Sequence, residues 1–154
     1  MENRKGKQDM EIEVINKTEE KRAIIEKCDS AFLEPLSSRD NYEAVFSKID
    51  KYAIFIAAYE NNVPVGYAAI YANDKESKTA FISMIGVLEE AQGKHIGSAL
   101  MKKCVEKAIE NDMKNIRLEV LNTNEKAIRF YKHHGFEYEK KCSDTSNHLI
   151  KKIA

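Results

Sequence analysis

The chain has 154 residues, 43% hydrophobic and 32% charged, and its 25 basic and 25 acidic side chains balance to a formal net charge of zero. That length fills one α/β domain with a full core and is short for two, and the balanced charge excludes a global field drawing the protein to nucleic acid or to an anionic membrane. No run of about 18 apolar residues occurs, and none follows the basic residues of "MENRKGKQDM", so a cytoplasmic protein with no nucleic-acid or membrane partner is expected.

The polar residues 1–10 read as a frayed end or an expression remnant, and residues 11–154 as the domain. "EIEVIN" alternates like a first strand, and Thr18, followed by two glutamates, is placed as the N-cap of a helix carrying Ile24, Ile25 and Cys28. Beyond Pro35, the spacing of Tyr42, Val45, Phe46 and Ile49 predicts a second helix. "YAIFIAAYE" and "VGYAAIYA" flank the turn sequence "NNVP" and form an antiparallel hairpin. "TAFISMIGVL" is the nearly continuous apolar run of a strand covered on both faces.

After "EEAQGKHIGSALMKK", Ile96, Ala99, Leu100, Cys104, Ala108 and Ile109 mark one side of a long helix. "NIRLEVL" then alternates, with Ile116, Leu118 and Val120 facing one way and Arg117, Glu119 and Leu121 the other. "NTNEKAIRFYKHHGF" reads as a helix with Asn124 as N-cap and Gly135 as its left-handed terminator. His133 and His134 fall in its last turn, where the helix dipole favours imidazolium. "FEYEKKC" and "SNHLIKKI" close the chain as a strand pair. Cys28, Cys104 and Cys142 are odd in number and widely spaced, which suits reduced, buried or half-buried thiols.

The stretch at residues 92–98 combines a strand end, a Gly-containing turn and a helix start, which points free backbone NH groups at one spot in solvent. Such a spot suits a phosphate. Gly93 and Gly97 let the backbone approach it, and Lys94 and Ser98 can add side-chain donors. Neither the GK[ST] triplet nor GxGxxG is present. Read alone, the two glycines fit better as mere shapers of a strand-to-helix turn.

Taken together, "EEAQGKHIGSALMKK" and "RLEVLNTNEKAIRFYKHHGF" resemble the GNAT superfamily of N-acetyltransferases. Gln92 and Gly97 occupy the ends of that family's phosphate turn, [Q/R]-x-x-G-x-[G/A], while His95 stands where the inner glycine is usual. Asn124, Ala127, Tyr131, Gly135 and Phe136 meet its downstream pattern N-x-x-A-x-x-x-Y-x-x-x-G-F. The resemblance implies a single-domain fold with a mixed, mostly antiparallel sheet of about six to seven strands and about four helices, splayed near the central strand. It also implies acetyl-coenzyme A as cofactor, with its pyrophosphate on Gln92, Gly93, Lys94, His95, Ile96, Gly97 and Ser98. The pantetheine arm would lie along the main chain at Ile85 and Val87, beside Asn124, Ala127 and Tyr131. A side chain at His95 must point outward, where it either crowds the phosphates or adds charge to them.

Transfer to an amine needs two proton movements. An alkyl amine of pKa about 10.4 is neutral in about one molecule per 10³ at pH 7, a barrier of roughly 4 kcal/mol without a base or a desolvating pocket. By the resemblance Tyr131 is the donor to the departing thiolate; packed against the sheet, it would be structural instead. Glu119 is the candidate base, at a separation from Tyr131 that looks like that in some ribosomal-protein N-terminal acetyltransferases; alternatively it pairs with Arg117 or a lysine. Phe32, Arg39, Tyr42, Tyr71, Asn73 and Ser83 lie in the segments expected to receive an amino sugar, a polyamine or a peptide N-terminus. "HHG" lacks a partner at ligand spacing, so no metal is expected. The competing role is an acyl-coenzyme A sensor without turnover. Members of the family often dimerise, so a homodimer is compatible with the reading.

Overall fold

The computed structural model describes residues 10–154; the frayed end expected for residues 1–9 lies outside the described residues. Strand β1 (Met10–Ile15) leads to helices α1 (Thr18–Lys27) and α2 (Tyr42–Tyr52), then to strands β2 (Ile54–Glu60), β3 (Val63–Tyr71) and β4 (Thr79–Val87). Helix α3 (Ile96–Glu110), strand β5 (Asn115–Leu121), helix α4 (Glu125–His133) and strands β6 (Glu137–Lys141) and β7 (Ser146–Lys152) follow. The order is the one expected, with β1 beginning one residue earlier, at Met10.

The strands make one seven-stranded sheet, ordered β1-β2-β3-β4-β5-β7-β6. Only β4 and β5 run parallel, and α3 is the crossover between them. Asn61 and Asn62 alone turn the β2–β3 hairpin, at φ 52° and 69°, the doubly left-handed geometry that matches strand twist and that asparagine tolerates. Val63 and Pro64, expected in the turn, already belong to β3.

Apolar side chains fill both faces of the sheet. On one, Leu100, Met101 and Cys104 of α3 pack on Ile56, Ile82, Ile116 and Leu118. On the other, Ile24, Ile25, Phe46 and Ile49 of α1 and α2 cover Phe55, Tyr67 and Met84. β4 feeds both cores, as its unbroken apolar pattern requires. Ile109, expected on the buried side of α3, is 49% exposed. Cys28 and Cys104 are buried and Cys142 is exposed, which corrects the expectation for the third thiol.

The start of α1 also differs. Thr18 is its first residue rather than its cap, and Thr18 Oγ1 donates to Asp50 Oδ2 at 2.9 Å. Asp50 Oδ1 accepts from the Lys21 ammonium at 2.9 Å, so that the buried lysine ties α1 to α2. That hydrogen bond holds the Asp50 carboxyl below its ordinary range.

What positions the site is an interruption of the sheet. β4 and β5 are bonded only from Thr79 opposite Asn115 to Ile82 opposite Leu118. Past that point β5 continues with β7 as far as Leu121 opposite Ser146, while β4 continues with β3 as far as Val87 opposite Gly66. Residue 83 is the extra one: Met84 pairs with Ala69 and Ile82 with Ile70, leaving Ser83 unmatched. A bulge of this kind bends its strand. The result is a wedge between residues 83–87 and 119–121, the expected splay.

Candidate functional site

The wedge opens into a cleft of about 820 Å³ walled by β4, the start of α3, the end of β5, α4 and the loop after α1. Its floor near α3 is a row of main-chain donors. The Gln92 amide bonds Glu89 O at 3.1 Å, and the next amide to reach a main-chain carbonyl is that of Ala99, on His95 O at 3.1 Å. Between them the amides of residues 93–98 have no hydrogen-bond partner among the described residues. They sit at the positive end of a 15-residue helix, where an anion is favoured.

The backbone reaches that arrangement through two left-handed residues, Gly93 at φ 81° and His95 at φ 65°. Glycine takes this geometry without penalty and a residue with a Cβ does not. His95 is therefore tolerated in a glycine-type position, and its exposed imidazole lies at the cleft wall. At Gly97 the missing side chain serves packing as well: a Cβ there would stand 3.3 Å from the Phe130 ring.

The neighbouring side chains are committed to each other. Gln92 Nε2 donates to Val87 O at 3.0 Å, and Gln92 Oε1 accepts from the Lys126 ammonium, so the glutamine links the end of β4 to α4. Lys94 turns away to Glu60 Oε2, 3.0 Å distant, and does not line the cleft. Ser98 Oγ lies 3.0 Å from His134 Nε2. The expected imidazolium in this turn is opposed: burial pushes the His134 pKa down, with His133 and Lys151 adding to the effect.

Across the wedge, Ile85 and Val87 line one side, while Glu119, Asn124, Ala127 and Tyr131 line the other. Asn124 caps α4 as expected, its side chain accepting from the Ala127 amide at 3.2 Å. Tyr131 packs edge-on to Phe130 and Phe136, with ring centroids 5.6 and 5.8 Å away. Burial pushes its hydroxyl up to about 12, with the Cys104 thiol adding in the same direction, which keeps it protonated at neutral pH. Glu119 is exposed and accepts from Ser146 Oγ at 2.5 Å. Arg117 is taken by Glu139 instead, which it grips with two bonds of 2.7 Å.

The six residues expected at the acceptor separate. Phe32, Arg39 and Ser83 line the cleft, whereas Tyr71 and Asn73 line an adjoining hollow of about 670 Å³ that shares Phe81 and Ser83 with it. Tyr42 belongs to neither: its hydroxyl donates to Glu26 Oε2 at 3.2 Å and its ring lies under Arg22. Phe32 covers Gly86 so closely that a Cβ at that glycine would be 2.7 Å from the ring.

Sequence reasoning missed Gly86, Lys126 and Phe130, the last of which packs against the core and forms cleft wall as well. A cation in the first turn of α4 opposes the helix dipole, and that anomaly was the available signal for Lys126.

Residues 21–136 match the model of the acetyltransferase (GNAT) family. An uncharacterised N-acetyltransferase of Archaeoglobus fulgidus is 34% identical over 96 residues, which are 62% of this chain and 60% of that protein. The matched segments span 60% or less of the length of the curated relatives. Among solved structures, the ribosomal-protein-S18-alanine N-acetyltransferase of Escherichia coli superposes with a TM-score of 0.77 at 16% identity, over 95% of each chain. The PaiA N-acetyltransferase of Thermoplasma acidophilum, solved in complex with coenzyme A, gives 0.74 at 17% identity over 94% of this chain and 99% of that one. At such identities the likeness is one of fold.

Proposed function

The chain belongs to the acetyltransferase (GNAT) family, and from that premise we propose that it moves an acetyl group from acetyl-coenzyme A to a primary amine, by direct attack with both substrates bound. The observation that carries the reading is the continuity of one cleft: unpartnered amides at residues 93–98, a strand edge released from its neighbour, and Glu119 and Tyr131 on the far wall. The residues suit coenzyme A. Amides at a helix start bind a diphosphate, and the main chain at Ile85 and Val87 lies along the wedge for the pantetheine arm. When bound, the coenzyme supplies the acetyl group as a thioester.

The protein's own part is to place protons. Glu119, oriented by Ser146, accepts the proton that the amine must lose. Tyr131, a neutral phenol on the cleft wall, donates to the departing sulfur. Phe32, Arg39 and Ser83 border the space left for the acceptor, an amino sugar, a polyamine or a peptide N-terminus. The Arg39 guanidinium is occupied by Glu34 O at 2.8 and 3.2 Å, so that recognition of an anionic group on the acceptor would have to displace that contact.

The test is amine-dependent release of free thiol from acetyl-coenzyme A over a panel of amino sugars, polyamines and peptides. Release above background hydrolysis with one class, lowered by Glu119→Gln, is the expected outcome. Tight coenzyme binding with no amine-dependent release across the panel would instead favour the sensor.

A further inference from the structure

Folding brings together three donors that are far apart in the chain. Glu119 of β5, Cys142 just after β6 and His148 of β7 place one ligand-type atom each within 4.8 Å of one another. We propose that Glu119, Cys142 and His148 form a binding site for a thiophilic divalent cation, zinc foremost, beside the cleft that Glu119 lines, and that its occupancy withdraws Glu119 from acetyl transfer. The second half rests on the reading of Glu119 as the base.

The framework is fixed by the sheet. Glu119 and His148 are direct partners in the β5–β7 register, so their side chains leave the same face. The Cys142 amide bonds Ser146 O at 3.0 Å, which draws the end of β6 onto β7. Ser146 also donates its hydroxyl to Glu119, and so braces two of the three donors in the way outer partners orient metal ligands. His148 stands edge-on to Phe81, with centroids 6.4 Å apart, and its Nδ1 is buried without a hydrogen-bond partner.

The donor chemistry selects the ion. A thiolate, an imidazole and a carboxylate are the mixture that zinc takes, whereas magnesium and calcium prefer oxygen alone. Bonds of about 2.0–2.3 Å put tetrahedral ligands about 3.3–3.8 Å apart. Glu119 and Cys142 are both exposed, which leaves their side chains room to rotate toward that spacing. The fourth position then remains open, as in zinc sites that exchange ligands. Because Glu119 lines the cleft, a cation on its carboxylate stands where the acceptor amine must pass. "HHG" drew attention in the sequence only because its histidines are adjacent; these three ligands are assembled by strand pairing.

Cobalt serves as the spectroscopic probe. Titrated into the reduced full chain, it should give a thiolate-to-metal absorption band saturating at one equivalent. Cys142→Ser should abolish that band and His148→Asn should weaken binding about tenfold or more. Cys28 and Cys104 are buried and contribute nothing to the band. Zinc should inhibit amine-dependent thiol release by the parent, while Cys142→Ser, fully active without metal, should resist it. A band that survives Cys142→Ser, or no band at all, overturns the site. Binding without inhibition overturns the regulatory half. The cobalt band does not depend on turnover, so a fully active Glu119→Gln would remove the base and leave the metal-site result to stand or fall by itself.

Discussion

His95 holds a left-handed backbone, φ 65° and ψ 18°, at the point where the turn becomes helix α3. A residue with a Cβ in that region is disfavoured by about 1–2 kcal/mol. Replacing it with glycine removes this strain but enlarges the freedom of the unfolded chain, which returns about 0.5–1 kcal/mol. The imidazole is exposed, so little packing is lost with it. His95→Gly should therefore stabilise the protein by about 0.5–1 kcal/mol, raising Tm by about 1–4 °C. His95→Ala keeps the strain and should show no gain. Matched denaturant and thermal unfolding of the three proteins measures this, and calorimetric titration with coenzyme A reads the effect on the turn. The glycine variant should bind at least as tightly as the parent, since the amides keep their places and a side chain leaves the cleft wall. If His95→Ala and His95→Gly were equally stable, the conformational argument for this position would fail.

Tyr131→Phe should lower kcat by about 10²–10⁴-fold with coenzyme binding nearly intact, and an unchanged kcat removes the phenol from the reaction. Gly66→Ala should cost about 2–3 kcal/mol, because the new Cβ would lie 2.6 Å from the Gly86 carbonyl oxygen and the contact is between two paired strands; a wild-type unfolding midpoint would refute this. Asp50→Asn leaves the Lys21 ammonium buried without its counter-charge and should cost about 2–3 kcal/mol, discounted from a fully buried pair because Asp50 is partly exposed. The folded carboxyl titrates below its ordinary value of 3.8. Its contribution is thus complete above pH 3.8 and lost as pH falls through the lower folded value, so the parent's advantage over Asp50→Asn in urea unfolding should vanish in acid.

Local chemistry was legible in the sequence and long-range partnership was not. The alternation in "NIRLEVL" marks β5 residue by residue, the cap at Asn124 and the turn at Gly135 bound α4, and the unbroken apolar run of β4 announces burial on both faces. Each of these is a property of neighbours along the chain. Arg117 finds Glu139 across an intervening strand, Lys94 in the turn after β4 finds Glu60 at the end of β2, and Ser98 meets His134 only because α3 and α4 share a face. No periodicity encodes such meetings. Thr18 shows the same limit: its hydroxyl is adjacent to the helix start it was expected to cap, yet Asp50, brought up by α2, is the better acceptor. For Tyr42 the helical spacing was right, while its hydroxyl is turned to Glu26 of α1 rather than into the cleft, a contact between two helices that spacing does not encode.

A crystal structure after diffusion of coenzyme A into the lattice bears most directly on how the cleft works. Density for the diphosphate on the amides of residues 93–98, with the thiol end in the wedge between residues 83–87 and 119–121, is the expected result. A diphosphate bound elsewhere, or a turn filled by the His95 imidazole, would contradict it.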